Sequence, residues 1–307
     1  MDGNDPAARR AGAAHPAPLK EEVLAVECAP LLVLALLALA AQPAPPKKTV
    51  FVITDAEGVA GICRQEQTEP TSPELQKLLT GETNAAVRGF LAAGADEVIV
   101  WDGHDGSRTL TVATLDPRAR LVSGSLGPTM VMERGFAAVA SVGQHARAGR
   151  EAAVMAHSYS SLGIQRILMN GREVGEIETR AALAGSFGIP VVFLSGDQAA
   201  ADDLRAVVPE AETAVVKEGL GYYSCLSLSA EAAQALVEQK AALALARLGQ
   251  VRPYRVEGPV TIEVEYTTRS TLFPEEPLPA GIERVGPRTL RFSGRDFLTA
   301  WRLWSMK

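Results

Sequence analysis

The chain has 307 residues, 47% hydrophobic and 21% charged, an ordinary globular composition with length for one large domain or two smaller ones. A net charge of −6 and a pI near 5.4 leave no basic face, which argues against a nucleic-acid partner. The cysteines at 28, 63 and 225 have neither zinc-finger spacing nor a disulfide framework, although Cys63 and Cys225 could pair in an oxidising compartment.

Residues 1–48 stand apart, rich in Ala and Pro. The apolar run 30–41 is shorter than the about 20 residues a bilayer span takes. It reads as the apolar region of a secretory signal peptide, with Ala38-Leu39-Ala40 as an A-x-A cleavage site and a Pro-rich linker through Pro46. Glu21, Glu22 and Glu27 close to the run are unusual for such a leader, and a retained anchor or a disordered tail are the alternatives. The expected location is exported or periplasmic if the leader is a signal peptide, and cytoplasmic otherwise.

The first predicted strand, 49–54, is a nearly continuous apolar run, which suits burial on both faces. It leads into Asp55-Ala56-Glu57-Gly58. Residues two apart in an extended chain point the same way, so Asp55 and Glu57 can aim two carboxylates at one point. Ligands gather at such strand ends in open α/β sheets, although a polar turn is the plain alternative. A helix is expected over 74–93, where Leu75, Leu78, Leu79, Ala86, Phe90 and Ala93 form an apolar stripe closed by Gly94. Glu82 falls inside that stripe and needs a partner: it either reaches the surface or faces a site.

A second strand, 97–101, ends in Asp102-Gly103-His104. A short third strand at 121–124 and a fourth at 137–143 follow, the latter ending in Gln144-His145-Ala146-Arg147. Residues 152–156 read as a further strand leading to His157-Ser158. The segments 166–169 and 172–175 flank Asn170-Gly171, a pair suited to the type I′ turn of a β-hairpin. Glu176 comes next, before a helix over 178–187; a strand at 190–194 and a helix to about 208 follow. From about residue 213 the texture changes: a strand at 213–216, a helix at 230–248, an alternating strand at 260–266, a strand at 289–292 and a helix at 293–304. The expected fold is an α/β sheet with helices on both faces over 49–210, carrying the metal site, plus a smaller α+β domain over 211–307.

His104, His145 and His157 each follow a predicted strand, in company with Asp55, Glu57 and Asp102. Imidazole nitrogen with carboxylate oxygen is the ligand set of catalytic zinc and related divalent metals. The candidates outnumber the ligands of one tetrahedral ion, so two metals bridged by a carboxylate fit the pattern. Scattered polar loop residues are the bland alternative. P-loop, G-x-G-x-x-G, G-x-S-x-G and H-E-x-x-H motifs are all absent.

At these residues the chain resembles the M55 metallopeptidases, the D-aminopeptidase family. The signals are D-A-E-G at 55–58, W-D-G-H at 101–104, G-Q-H-A-R-A at 143–148, M-A-H-S at 155–158 and V-G-E at 174–176. Lys217 after a strand and the closing S-G-R-D-F-L-T-A-W segment resemble it too. The resemblance implies a zinc-dependent aminopeptidase releasing N-terminal D-amino acids from short peptides, with two Zn2+ per subunit. It implies Asp55, Glu57, His104, His145 and Glu176 as metal ligands, Asp55 bridging, and His157 acting in catalysis without being a ligand. It also implies a homo-oligomer, a ring-stacked decamer enclosing its active sites. The leader and the stretch 218–224 depart from the family's pattern. Rival readings are a metal-dependent amidohydrolase acting on another small amide and an exported, non-catalytic peptide-binding protein.

Overall fold

A computed structural model describes residues 47–269 and 277–305, so the leader expectation lies outside the described residues. Strand β1 (Thr49–Thr54) leads to helix α1 (Pro73–Ala92), β2 (Glu97–Asp102), β3 (Ala119–Val122) and β4 (Ala138–Gln144). The hairpin β5 (Ile164–Met169) and β6 (Arg172–Val174) precedes α2 (Glu176–Ser186), β7 (Val191–Asp197) and α3 (Gln198–Val207). Then come β8 (Glu212–Gly221), β9 (Ser224–Ser227), α4 (Ala230–Ala246), β10 (Val260–Tyr266), β11 (Ile282–Gly286), β12 (Thr289–Gly294) and α5 (Phe297–Ser305).

Seven strands form one sheet in the order β3-β2-β1-β4-β7-β8-β9, parallel except for β9. Every residue of β1, β4 and β7 is buried, as continuous apolar strands with helices on both faces require. The chain builds outward from β1 to β2 and β3, then returns to the other side of β1 with β4. That reversal opens a crevice between the carboxyl ends of β1 and β4, the usual ligand position in such sheets. A second, antiparallel sheet has the order β11-β12-β10-β5-β6 and packs against α5. Strand β10 alternates buried and half-buried along its whole length, matching its sequence pattern.

Local signals account for the helix ends. Ser72 caps α1 ahead of Pro73, Ser229 caps α4, and Asp197 caps α3 by accepting the Ala200 N–H at 2.8 Å. Helices α1 and α4 pack closely: a side chain at Gly89 would meet the Glu238 carbonyl at 2.3 Å. The β5–β6 turn has Asn170 at φ 49° and Gly171 at φ 78°, the two positive values a type I′ turn needs.

The structure departs from the sequence reading in several places. Residues 152–156 form a turn rather than a strand, with Ala152 at φ 49° and Met155 at φ 47°. Val154 and Met155 are nevertheless buried, so their apolarity reported burial and not extension. Strands β9 and β11 are additional. A division at residue 210 cuts across both sheets: β5 and β6 belong to the second sheet, β8 and β9 to the first, and the described residues form one compact unit. Cys63 and Cys225 form a disulfide, tying the loop after β1 to β9. With 162 residues between its ends, the chain-entropy account assigns it roughly 5 kcal/mol. No described helix is long and apolar enough to cross a membrane.

Candidate metal centre

The site forms where β1, β2 and β4 end side by side. The Asp55 N–H bonds the Val142 carbonyl and the Gly58 N–H bonds the Gly143 carbonyl, each at 2.8 Å, seating the β1 loop against β4. Gly143 has φ +73°, and a side chain there would lie 2.2 Å from the Asp55 carbonyl. Gly143→Ala is therefore expected to lower stability by about 2–4 kcal/mol in denaturant unfolding, through left-handed strain plus this clash.

Two groups of ligand-type side chains gather in the crevice: Asp55, Glu57 and His104, and His145, His157 and Glu176. Within each group the ligand atoms lie within 4.8 Å of one another. Asp55 faces both. Its Oδ1 lies 3.2 Å from His104 Nδ1 and its Oδ2 lies 3.6 Å from His145 Nε2. His104 Nδ1 is also 3.6 Å from Glu57 Oε2, and His145 Nε2 is 3.4 Å from Glu176 Oε1.

Each of these three histidines places one ring nitrogen against a backbone carbonyl. His104 Nε2 bonds the Thr68 carbonyl at 2.7 Å, His145 Nδ1 that of Ala146 at 2.8 Å, and His157 Nδ1 that of Met155 at 2.8 Å. Donation to these carbonyls sets the tautomer and leaves the other nitrogen for the site. His157 stacks on His145 with ring centroids 3.9 Å apart.

Glu176 opens α2. Its Oε1 accepts the Tyr159 N–H at 2.9 Å and its Oε2 the Arg180 guanidinium at 2.6 Å. Arg180 also donates to Gln144 Oε1 at 2.6 Å, and Gln144 Nε2 donates to Asp55 Oδ2 at 3.0 Å. This Arg180–Gln144 brace orients both carboxylates. Sequence reasoning missed Arg180; its signal was a lone basic residue four positions after Glu176, just ahead of the small and apolar A-A-L-A-G run of the same helix.

Other singled-out residues serve the frame. Asp102 Oδ2 accepts the N–H groups of Thr109 and Leu110 at 2.7 and 2.9 Å and folds the loop after β2. Glu82 accepts the Ala60 N–H at 2.8 Å, beneath the β1 loop. Arg147 pairs with Glu173 at 2.7 Å, an internal acid.

The charges are strongly interdependent. Burial alone would raise Asp55, but the hydrogen bond from His104 and the charges of His145, His104 and Arg180 hold it well below the usual carboxylate range. Burial and the neighbouring Asp55 push Glu57 up to about 7. Burial would also raise Glu176, yet Arg180 and His145 bring it to about 2. Burial opposes charge on His104 and His145. The Asp55 hydrogen bond with the Glu57 charge raises His104 to about 10, and Glu176 and Asp55 raise His145 to about 10. Burial and the adjacent His145 keep His157 below its ordinary value, hence neutral at pH 7.

Two buried ligand-type atoms of the clusters, Glu57 Oε2 and His145 Nε2, have no hydrogen-bond partner among the described residues. Orphaned ligand atoms aimed into a cluster of carboxylates and imidazoles fit a divalent cation. In the metal-free chain at neutral pH, protons occupy His104 and His145 where a cation must bind, so uptake must displace them and affinity must rise with pH. Glu57, near 7, adds a further fraction of a proton, so calorimetry in buffers of different ionisation enthalpy should read the release of about two to three protons at pH 7. Proton-neutral uptake would contradict this pairing.

Paired histidine–carboxylate clusters at the switch point of a parallel sheet define a metal-dependent hydrolase. The comparisons agree. The profile of the M55 peptidase family, D-aminopeptidase, matches residues 49–306. The D-aminopeptidase of Bacillus subtilis (strain 168) is 27% identical over 259 residues, covering 82% of this chain and 94% of the relative. The solved structure of the zinc-dependent D-aminopeptidase DppA from Bacillus subtilis, a self-compartmentalizing protease, superposes with a TM-score of 0.75 at 27% identity, covering 83% of this chain and 94% of that one. The chain belongs to the M55 peptidase family.

Proposed function

We propose that this peptidase is a zinc-dependent aminopeptidase that releases N-terminal D-amino acids from short peptides and holds two zinc ions per subunit. The observation that carries this reading is Asp55, which turns one carboxylate oxygen towards each ligand cluster. Asp55, Glu57 and His104 would hold one ion, and Asp55, His145 and Glu176 the other. When bound, zinc supplies Lewis-acid polarisation of the scissile carbonyl and acidifies a water molecule.

The remaining work falls to the chain's own side chains. His157, with Nδ1 committed to the Met155 carbonyl, keeps Nε2 free and unprotonated at neutral pH. It accepts a proton from the attacking water and passes it to the leaving nitrogen. Arg180, held by Glu176 and Gln144, keeps its positive charge close to the carboxylates and steadies Asp55. Stacking on His145 fixes the His157 ring over the cluster.

An exported location accords with the signal-like leader and with the Cys63–Cys225 bond, since disulfides persist in oxidising compartments. The self-compartmentalizing relative supports a closed homo-oligomer, a decamer in this reading, with its sites facing inward. The deciding experiment measures metal by elemental mass spectrometry alongside hydrolysis of D-alanyl and L-alanyl p-nitroanilide. Two zinc ions per chain with D-selective cleavage is the expected result. Metal without D-selectivity would keep the hydrolase and discard the substrate.

A further inference from the structure

The loop Glu57–Ile62, between the first carboxylates and Cys63, is held from several directions by side chains that touch none of the other ligands. Lys217, on β8, is 2% exposed. Its ammonium donates to the carbonyl oxygens of Glu57, Val59 (2.9 Å) and Ile62. An ammonium has three protons and no acceptor, so these carbonyls consume its whole hydrogen-bonding capacity. Among the described residues no carboxylate lies within ion-pair distance of it. Burying a cation is strongly unfavourable unless its donors are satisfied, and here the backbone of this loop satisfies them.

Further contacts converge on the same loop. Glu82 accepts the Ala60 N–H at 2.8 Å, Ser227 Oγ accepts the Gly61 N–H at 2.8 Å, and the disulfide anchors Cys63. Glu57 itself lacks a side-chain hydrogen bond at the atom that matters: Oε2 has no hydrogen-bond partner among the described residues. Beyond its 3.6 Å approach to His104 Nδ1, its direction comes from the backbone that carries it. By contrast, Glu176 is gripped directly by Arg180 and the Tyr159 N–H.

We propose that Lys217 is a positioning residue for Glu57: its three-carbonyl grip sets the loop conformation that presents the Glu57 carboxylate to the cation shared with Asp55 and His104. The inference rests on the two-cation reading of the site. Lys217 acts on one of the two clusters, because Glu57 groups with Asp55 and His104, whereas His145, His157 and Glu176 are carried by the residue after β4, the following turn and α2.

Cobalt(II), whose visible absorption reports occupied sites, is titrated into metal-free wild type, Lys217→Met, Glu57→Ala and the double variant. In Lys217→Met one cation's Kd should rise about tenfold or more, the range of outer-shell ligand supports. The other cation should be retained, which also shows the variant to be folded. The double variant should lose no more than Glu57→Ala alone, because the two changes act through one ligand. Wild-type affinities in Lys217→Met, or losses that add in the double variant, overturn the assignment. If Lys217→Met does not fold, Lys217→Arg replaces it, keeping the charge with a planar fork unsuited to three converging carbonyls. The same selective weakening supports the proposal, and wild-type affinity overturns it. A wild type that takes up a single cation overturns the two-cation reading, and the comparison with Glu57→Ala then decides the role of Lys217 on that one ion.

Discussion

Asp55→Ala is expected to lose metal from both clusters and activity with it. Among the described residues Asp55 is the one carboxylate within ion-pair distance of both His104 and His145, and its removal leaves each group short of an anionic ligand. It also leaves Gln144 Nε2 without its acceptor and loosens the brace to Arg180. Loss of a direct ligand should exceed the about 10–100-fold cost of disturbing an outer-shell partner. Elemental mass spectrometry and p-nitroanilide hydrolysis check both effects on one sample. A fully metallated, active Asp55→Ala protein would refute the ligand assignment.

His157→Ala should behave in the opposite way, keeping its metal and losing turnover by about a hundredfold or more, the usual contribution of a positioned proton-transfer group. The geometry makes this a sharp test, because His157 lies within ligand distance of His145 and Glu176 and could serve as a third ligand there. Metal content separates the roles. Retained metal with depressed kcat assigns His157 to proton transfer, whereas loss of one ion with activity assigns it to the coordination sphere. Unchanged turnover removes it from the mechanism.

Much of the site was legible because its residues stand at strand ends, and strand ends are marked in sequence by an apolar run stopping at polar residues. Asp55 and Glu57 after β1, His104 after β2 and His145 after β4 carry that mark, as does Glu176 after the Asn-Gly hairpin. His157 was found for a partly mistaken reason: the apolar run before it is a buried turn, and periodicity over five residues cannot separate the two. Arg180, Gln144, Glu82 and Lys217 could be seen as residues but not as partners. Lys217 lies 160 positions from Glu57 and Gln144 lies 89 from Asp55, and no local rule links residues so far apart.

The sequence by itself determined most of the strand and helix series from residue 49, though not β9, β11 or the turn at 152–156, together with the carboxylate and imidazole inventory and the family. These follow from local periodicity, turn chemistry and short ordered motifs, all of which are encoded within a few residues. Only the tertiary structure decided that β4 lies beside β1, that Asp55 faces both clusters, that Cys63 meets Cys225, and that strands from both halves of the chain are shared between the two sheets. Those outcomes depend on which long-range pairings bury the apolar faces together and satisfy their buried polar groups, a property of the whole packed chain that no short stretch carries.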